Sequence, residues 1–425
     1  MGNCRASIFR LIFCAAAVFV LGEELRSDWP GLLGPRRDGH AASDARASDK
    51  VPTELQPTWQ IPAGQGYAGA AIRGQRAVLY QRDGNEDVLR LVDMNDGQVR
   101  WRSALPAAYR YGLDEDKGPR SVPQIVDEWI VIQSAAGSVH CVSLADGKVR
   151  WSRELRKELG AEEGYFGAGN TPLVSDSAVI VNVGAKKQNA GIVALSLLDG
   201  KILWKATDAD AGYASPIAYS HATNALESPL VIVPTRLTTY GMDPLTGQVR
   251  WEFPFGQRGP TVNAATPIVL SNGHLFQTSN YGIGYVSAAI RSNRVEIVRQ
   301  GEELASQYAT PIAVGDYVFA SDGREDGGGG SYKCLKPETG KIVWEKVDMP
   351  VCHTIAIGAG EQTQLLILGV DGQLWLTPAS DRGFQTIWQT RCPPGKYRAL
   401  PALSGNKLLV RSSLGASPKW MCFEL

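Results

Sequence analysis

Residues 194–204 read "ALSLLDGKILW", and residues 141–151 are nearly the same, "CVSLADGKVRW". The phrase returns as "LVDMNDGQVRW" at 91–101, "GMDPLTGQVRW" at 241–251 and "CLKPETGKIVW" at 334–344. Two worn copies occupy the remaining gaps: "SAAIRSNRVEI" at 287–297, with Ile297 at the Trp position, and a stretch ending "RGFQTIW" at Trp388. Trp59, in "PTWQIP", opens the series, and the successive intervals from it are 42, 50, 53, 47, 46, 47 and 44 residues. A period of this size marks a solenoid, a propeller or an array.

The content of one repeat decides among these. In 171–204, short Val/Ile/Leu runs are separated by turn residues, which predicts strands A to D at 172–175, 178–183, 191–197 and 201–205. Asp199-Gly200 joins C to D, because Gly accepts the positive φ of a tight hairpin. Helical periodicity is nearly absent, so four strands per repeat predict the blade of an all-β propeller. Pro123, Pro172, Pro216, Pro267, Pro311 and Pro401 recur where strand A begins. Proline donates nothing to a ladder and is tolerated at a strand start on an edge, which is where the innermost strand of a blade lies.

After Trp388 the chain supplies strands A, B and C only, whereas Trp59 begins the series as a lone D strand. The two fragments complete one another, giving eight four-stranded antiparallel blades with the ring closed by the N-terminal strand. Six residues before each turn glycine or its equivalent stand Cys141, Ala194, Gly241, Ser287, Cys334 and Thr377, with Leu91 the one large exception. Small residues there leave room for the Trp that ends the phrase. Trp59, Trp101, Trp151, Trp204, Trp251, Trp344 and Trp388 are therefore the structural docking residues, each packed across a blade junction and stabilising it by about 2 to 3 kcal/mol.

The pattern small-x-x-x-x-[Asp/Thr]-Gly-x-x-x-Trp resembles the tryptophan-docking motif of the pyrroloquinoline-quinone-like propeller repeats. That family includes quinoprotein dehydrogenases and the outer-membrane assembly lipoprotein BamB. The resemblance covers about residue 56 to the end. Upstream, "DWPGLLGPRRDGH" at 28–40 resembles the lead-in of envelope-located propellers of planctomycete-type bacteria, with Leu33 where many relatives carry Arg. The domain reading is a signal peptide at 1–22, a lead-in segment at 23–55 and the propeller at 56–425.

The signal reading rests on Arg5 and Arg10 before an apolar run from Leu11 to Leu21, too short for a comfortable membrane span. It places the protein in the periplasm or cell envelope with no membrane span after cleavage. Lys plus Arg and Asp plus Glu number 43 each, so no basic field points to nucleic acid. Outside the signal lie Cys141, Cys334, Cys352, Cys392 and Cys422. Three of them fall on C strands as small packing residues, and Cys352 with Cys392 is left as an open pair.

Catalytic chemistry is sparse. Resemblance to the quinoprotein enzymes implies adjacent cysteines, a Trp flooring the funnel and a calcium site of Glu, Asn and Asp. The sequence has no Cys-Cys pair, and nearly every Trp is already assigned to an anchor or a strand. The five histidines show no ligand spacing, and Asp322, Glu325 and Asp326 in "SDGREDGGGGS" do not match a calcium loop. No catalytic residue, cofactor or metal is expected. The D to A connections carry Arg120, Tyr165, Phe166, Asn170, Tyr213, Asn263, Tyr308, His353, Tyr397 and Arg398, which the closed ring would bring to one mouth as a candidate binding face. The longest connection, 152–170, predicts a short exposed helix suited to a partner. The expected function is a non-enzymatic envelope scaffold with a protein partner. The alternative is a pyrroloquinoline-quinone-dependent dehydrogenase or small-ligand binder using the funnel.

Overall fold

Each copy of the repeated phrase joins the third and fourth strands of a four-stranded antiparallel sheet, and eight such sheets form the ring of a β-propeller. The computed structural model describes residues 28–110, 113–219, 229–327, 329–413 and 417–425; the expected signal peptide at 1–22 and His221 lie outside these. Blades 1 to 7 span 71–106, 124–153, 173–206, 217–254, 268–301, 312–347 and 352–391. In blade 3 the strands are Leu173–Ser175, Ala178–Ala185, Ala190–Ser196 and Ile202–Ala206, within one residue of expectation except at the end of strand B, which runs two residues further. Each recurrent proline sits one residue ahead of strand A.

Blade 8 takes Ala402–Ser404, Lys407–Arg411 and Lys419–Glu424 from the C-terminal end and Trp59–Pro62 from the N-terminal side. The closing ladder pairs Trp59 with Cys422 and Pro62 with Lys419. Strand alternation puts every D to A connection and B to C hairpin on one face, here the upper face. The A to B and C to D turns lie on the lower face.

The docking residues act through one repeated hydrogen bond. The Trp101 indole packs on Gly147 of the next blade and donates to Leu144 O at 3.1 Å. Trp151 repeats this on Gly200 and Leu197 O at 2.9 Å, Trp204 on Gly247 and Pro244 O at 2.9 Å, and Trp59 on Gly97 and Met94 O at 3.0 Å. A Cβ on any of these glycines would fall within 2.8 Å of the ring, and each has φ near +70°, so the turn demands Gly twice over. The small residue six positions back faces the Trp of its own blade: a Cβ at Gly241 would lie 2.0 Å from Trp251.

Blade 5 departs from expectation. Ser287 pairs with Arg299, not with Ile297, so Arg299 holds the register position that Trp holds elsewhere. Its guanidinium lies over Gly340 of blade 6 and donates to Tyr285 Oη at 2.8 Å. The same blade's C to D turn is a tighter hairpin, closed by Arg291 N to Arg294 O at 2.9 Å, and Trp251 of blade 4 is left with a buried indole N–H that has no partner. A second repeat binds the inner strands. The Thr or Ser before the proline accepts from the preceding blade: Val122 N to Thr171 Oγ1 at 2.9 Å, Thr171 N to Ser215 Oγ at 2.9 Å, Thr266 N to Thr310 Oγ1 at 3.0 Å.

The lead-in fills the lower channel. It enters where Gly74 N donates to Asp28 Oδ1 at 2.6 Å and leaves where Arg46 N donates to Gly405 O at 3.1 Å, both at A to B turns. Between them Trp29 bridges to Ile72, Leu32 and Leu33 pack with Val122, and His40 Nε2 lies 2.9 Å from Ala313 O. Arg37 is half-buried, with its guanidinium turned toward the inner strands of blades 2, 3 and 4. It then runs out along blade 7, where Ser48 O accepts from Trp388 at 2.8 Å, taking the part a C to D turn plays elsewhere because blade 8 has none. Among the described residues no helix is long and apolar enough to cross a membrane.

Candidate functional site

The upper mouth is built from one register position. Arg120, Tyr213, Tyr308 and Arg398 each stand three residues before a strand A proline, and Tyr67 stands three before Ala70, which takes the proline's place in blade 1. The ring geometry therefore delivers these side chains to a common rim.

One cluster centres on Glu325, at the tip of the B to C hairpin of blade 6. Arg398 grips it with two parallel bonds, Nε to Oε2 at 2.6 Å and Nη2 to Oε1 at 2.9 Å. Lys396 Nζ adds a bond at 2.9 Å and Tyr308 Oη another at 2.9 Å. Burial alone would raise the Glu325 carboxyl, but Arg398 and Lys396 outweigh it and hold it below its ordinary value. Burial and the Glu325 charge together push the Tyr308 phenol well up, so it serves as a donor. Tyr67 lies between two guanidinium groups, Arg398 at 5.3 Å and Arg120 at 5.6 Å from its ring. Its hydroxyl accepts from Arg398 at 3.1 Å and donates to Asp114 at 3.2 Å, and burial with Asp114 and Asp116 pushes it up to about 12. Arg120 is fixed by Asp116 O at 2.7 Å and lies 5.4 Å from the Tyr109 ring.

A second cluster holds Phe166 edge-on to Tyr213 at 5.8 Å, with Arg236 over Tyr165 at 5.3 Å. Asn170 is buried and donates to Asn182 O and Gly212 O at 3.4 and 3.3 Å. Asn263 is buried with neither side-chain atom partnered. His353 sits behind Tyr308, their rings 5.8 Å apart, and Nε2 is 2.9 Å from Arg398 O. The expected convergence thus resolves into two clusters with buried polar supports.

Tyr397 is a correction. It is fully buried, packs under Gly372 and donates to Pro393 O at 2.5 Å, so it braces its own loop and does not face the mouth. The helix expected in the longest connection forms at Leu155–Leu159 with Lys157 and Glu158 exposed, but it is short and its Leu155 and Leu159 are buried with Val179, Val181 and Val183. Its apolar face is used up in packing, although Tyr165 beyond it stays exposed. Sequence reading missed Tyr67, Lys396, Arg236 and the role of Glu325. Counting three back from Ala70 would have found Tyr67.

The five described cysteines are buried and free, so Cys352 and Cys392 do not pair. Each acid of the blade 6 hairpin faces a cation: Asp322 with Lys333 at 2.8 Å, Glu325 with Arg398, and Asp326 with Arg324 at 3.2 Å. Among the described residues no three His, Cys, Asp or Glu gather as metal ligands.

The buried imidazoles predict acid sensitivity. Burial pulls His353 and His140 down to about 4, so the unfolded chain binds more protons than the folded one as pH falls from the ordinary histidine value. Their contribution is complete above about pH 6.5 and is lost on the way down to 4; by pH 5 each should have cost about 2 kcal/mol. Urea melts at pH 7 and pH 5 should show this loss, and His353→Gln should remove about half of it. An unchanged difference in the variant would show that other groups carry the acid response.

The family of the outer membrane protein assembly factor BamB matches residues 84–346, more than half of the chain. The chain belongs to the BamB family. No curated protein matches it significantly. Among solved structures, BamB from Moraxella catarrhalis is similar over 86% of this chain and 97% of its own, with 19% identity and a TM-score of 0.58. A europium-containing methanol dehydrogenase matches 94% of this chain and 98% of its own, with 10% identity and a TM-score of 0.64. The quinohemoprotein alcohol dehydrogenase of Comamonas testosteroni matches 94% of this chain and 80% of its own, with 11% identity and a TM-score of 0.60. Identities this low establish the shared fold alone.

The residues of this BamB-family chain do not fit the quinone its fold relatives imply. No cysteines are adjacent, Arg398 and Lys396 are engaged by Glu325 and Arg120 by backbone carbonyls, and Arg37 with its backbone partners occupies the channel beneath the mouth.

Proposed function

We propose that this BamB-family protein is an exported, non-enzymatic scaffold of the cell envelope that binds a partner protein through its upper face, in the manner of an outer-membrane assembly factor. The observation that carries the reading is the mouth itself. Arg398, Lys396 and Tyr308 are satisfied by Glu325 and Arg120 by backbone carbonyls, so the face offers a polar and aromatic surface above a plugged channel. Two hollows among the described residues, of about 450 and 580 Å³, lie away from that centre: one beside the lead-in and blade 7, the other between blades 4 and 5. Aromatic and Arg side chains on a rigid scaffold are the composition of protein-binding hot spots.

Gentle crosslinking in envelope fractions followed by affinity capture should recover an envelope protein, and Arg120→Ala with Arg398→Ala should lose it. Recovery of none would favour the dehydrogenase or small-ligand reading, which the quinoprotein neighbours keep in view. That reading has its own test. Pyrroloquinoline quinone with calcium at a hundred times its dissociation constant would stabilise a binder by about 2.7 kcal/mol. No shift in the melting curve and no dye reduction with alcohols are expected; a shift abolished by Arg398→Ala would make the mouth a cofactor site.

A further inference from the structure

The donors that meet Glu325 form a complete carboxylate site, and they belong to a different part of the molecule from the carboxylate. Arg398 and Lys396 lie on the connection into blade 8 and Tyr308 on the connection into blade 6, the fixed rim of the ring. Glu325 arrives from a hairpin tip. The base of that hairpin is secured, with Gly323 N donating to Ala305 O at 3.0 Å and Ser306 Oγ to Ser321 O at 2.6 Å. Beyond Gly323, whose φ is +104°, the strand continues into a tip with Gly327, Gly329 and Gly330. Apart from its carboxylate, the tip is tied by Glu325 N to Gln307 Oε1 at 3.1 Å, by Gln307 to Asp326 at 3.5 Å, by Met349 N to Gly330 O at 3.1 Å, and by Arg324 over the Tyr281 ring at 5.1 Å. With Glu325 seated, the Lys396 side chain is still 49% exposed and Arg398 29%, against 12% for Glu325.

We infer that Glu325 is an internal occupant of a docking site for an acidic segment of a partner protein, which displaces the hairpin tip and places its own carboxylate on Arg398, Lys396 and Tyr308. The inference rests on the scaffold reading for the existence of a partner and adds the chemistry that recognises it. Exchanging one carboxylate for another leaves no half-buried cation uncompensated, which is what would make simple opening unfavourable. Arg398 keeps its aim during the exchange, because its third bond and its stacking are to Tyr67, on the connection into blade 1. The tethered Glu325 competes at high local concentration, so the apparent affinity of an incoming acid is reduced in proportion to the small fraction of open tip.

The test uses the protein without its signal segment and a fluorescein-labelled, acetylated and amidated eight-residue peptide of alternating Glu and Gly, followed by anisotropy. The wild type should bind weakly, and Glu325→Gln at least tenfold more tightly. Adding Arg398→Met should abolish that gain, and the same peptide with Gln for Glu should show none. Glu325→Asp, which keeps the charge on a shorter arm, should fall between wild type and Glu325→Gln. It carries the comparison should Glu325→Gln fail to fold. A folded Glu325→Gln that binds no tighter than wild type overturns the inference, as does an Asp variant without gain where only that variant folds. The two readings separate cleanly. Capture of an envelope protein without a peptide gain removes this site and leaves the scaffold, whereas a gain without any captured protein does the reverse.

Discussion

Replacing Trp59–Pro62 with Gly-Pro-Gly-Pro is expected to destabilise the protein by at least about 5 kcal/mol, a fall in melting temperature on the order of 10 °C. The exchange keeps the length of chain between the lead-in and blade 1 but removes what closes the ring. Trp59 loses its contact with Gly97 and its bond to Met94 O, and the strand paired with Lys419–Glu424 loses the side chains of Trp59, Gln60 and Ile61 while Gly at 59 and 61 makes its extended backbone costlier to order. Strand C of blade 8 then becomes an open edge next to a disrupted junction. Open edges recruit other strands, so the variant should also associate at concentrations where the wild type does not, measurable by light scattering. A melting curve and scattering profile equal to wild type would mean that the ring is held without this strand.

That closure was legible because propeller information is local and periodic. A turn glycine, a small residue six before it and a Trp four after it repeat within one hairpin, and Pro123 or Pro172 marks strand A without reference to the rest of the chain. Legibility failed where register or distance intervened. Ile297 holds the expected spacing, but the altered hairpin at Arg291–Arg294 shifts the pairing by two, and Arg299 takes the docking position. The path of the lead-in was invisible because "PGLLGPRRDGH" has no strand period and Arg37 is bound mainly by backbone carbonyls of other blades, which carry no sequence signature.

The mouth was half legible for the same reasons. Arg120, Tyr213, Tyr308 and Arg398 share a register that proline announces. Tyr397 is one residue out of that register and turns inward. Glu325 stands 73 residues from Arg398, and only closure of the ring shows that a hairpin tip read as a free acidic loop reaches across to it.

Arg37→Met is expected to cost about 3 kcal/mol, from the balance of two opposed effects. The guanidinium is buried without a carboxylate beside it, and burial pushes it down to about 9, the mark of a costly charge. Removing the charge recovers that cost, and apolar replacement of a buried ion can be neutral or better when its partners are also replaced. Here the partners stay. Nη1 donates to Gln124 Oε1 at 2.7 Å and Pro172 O at 3.2 Å, and Nη2 to Thr171 O and Pro216 O, both at 3.1 Å, so one fork ties blades 2, 3 and 4 to the lead-in. A methionine leaves four buried acceptors facing a thioether at about 1 to 3 kcal/mol each where water does not enter, and this side of the balance is the larger. The same side chain holds Arg37 at a φ of +57°, a strained value for a residue with a Cβ, so its loss also frees the local chain. Arg37→Lys should recover only part of the loss, because an ammonium cannot reproduce the planar fork. Urea denaturation of the three proteins gives the order wild type, Lys, Met, and trypsin should cut the lead-in near Arg46 faster in the Met variant. A Met variant as stable as wild type would show that desolvation outweighs the four acceptors and that the plug is held by Trp29, Leu32 and Leu33 instead.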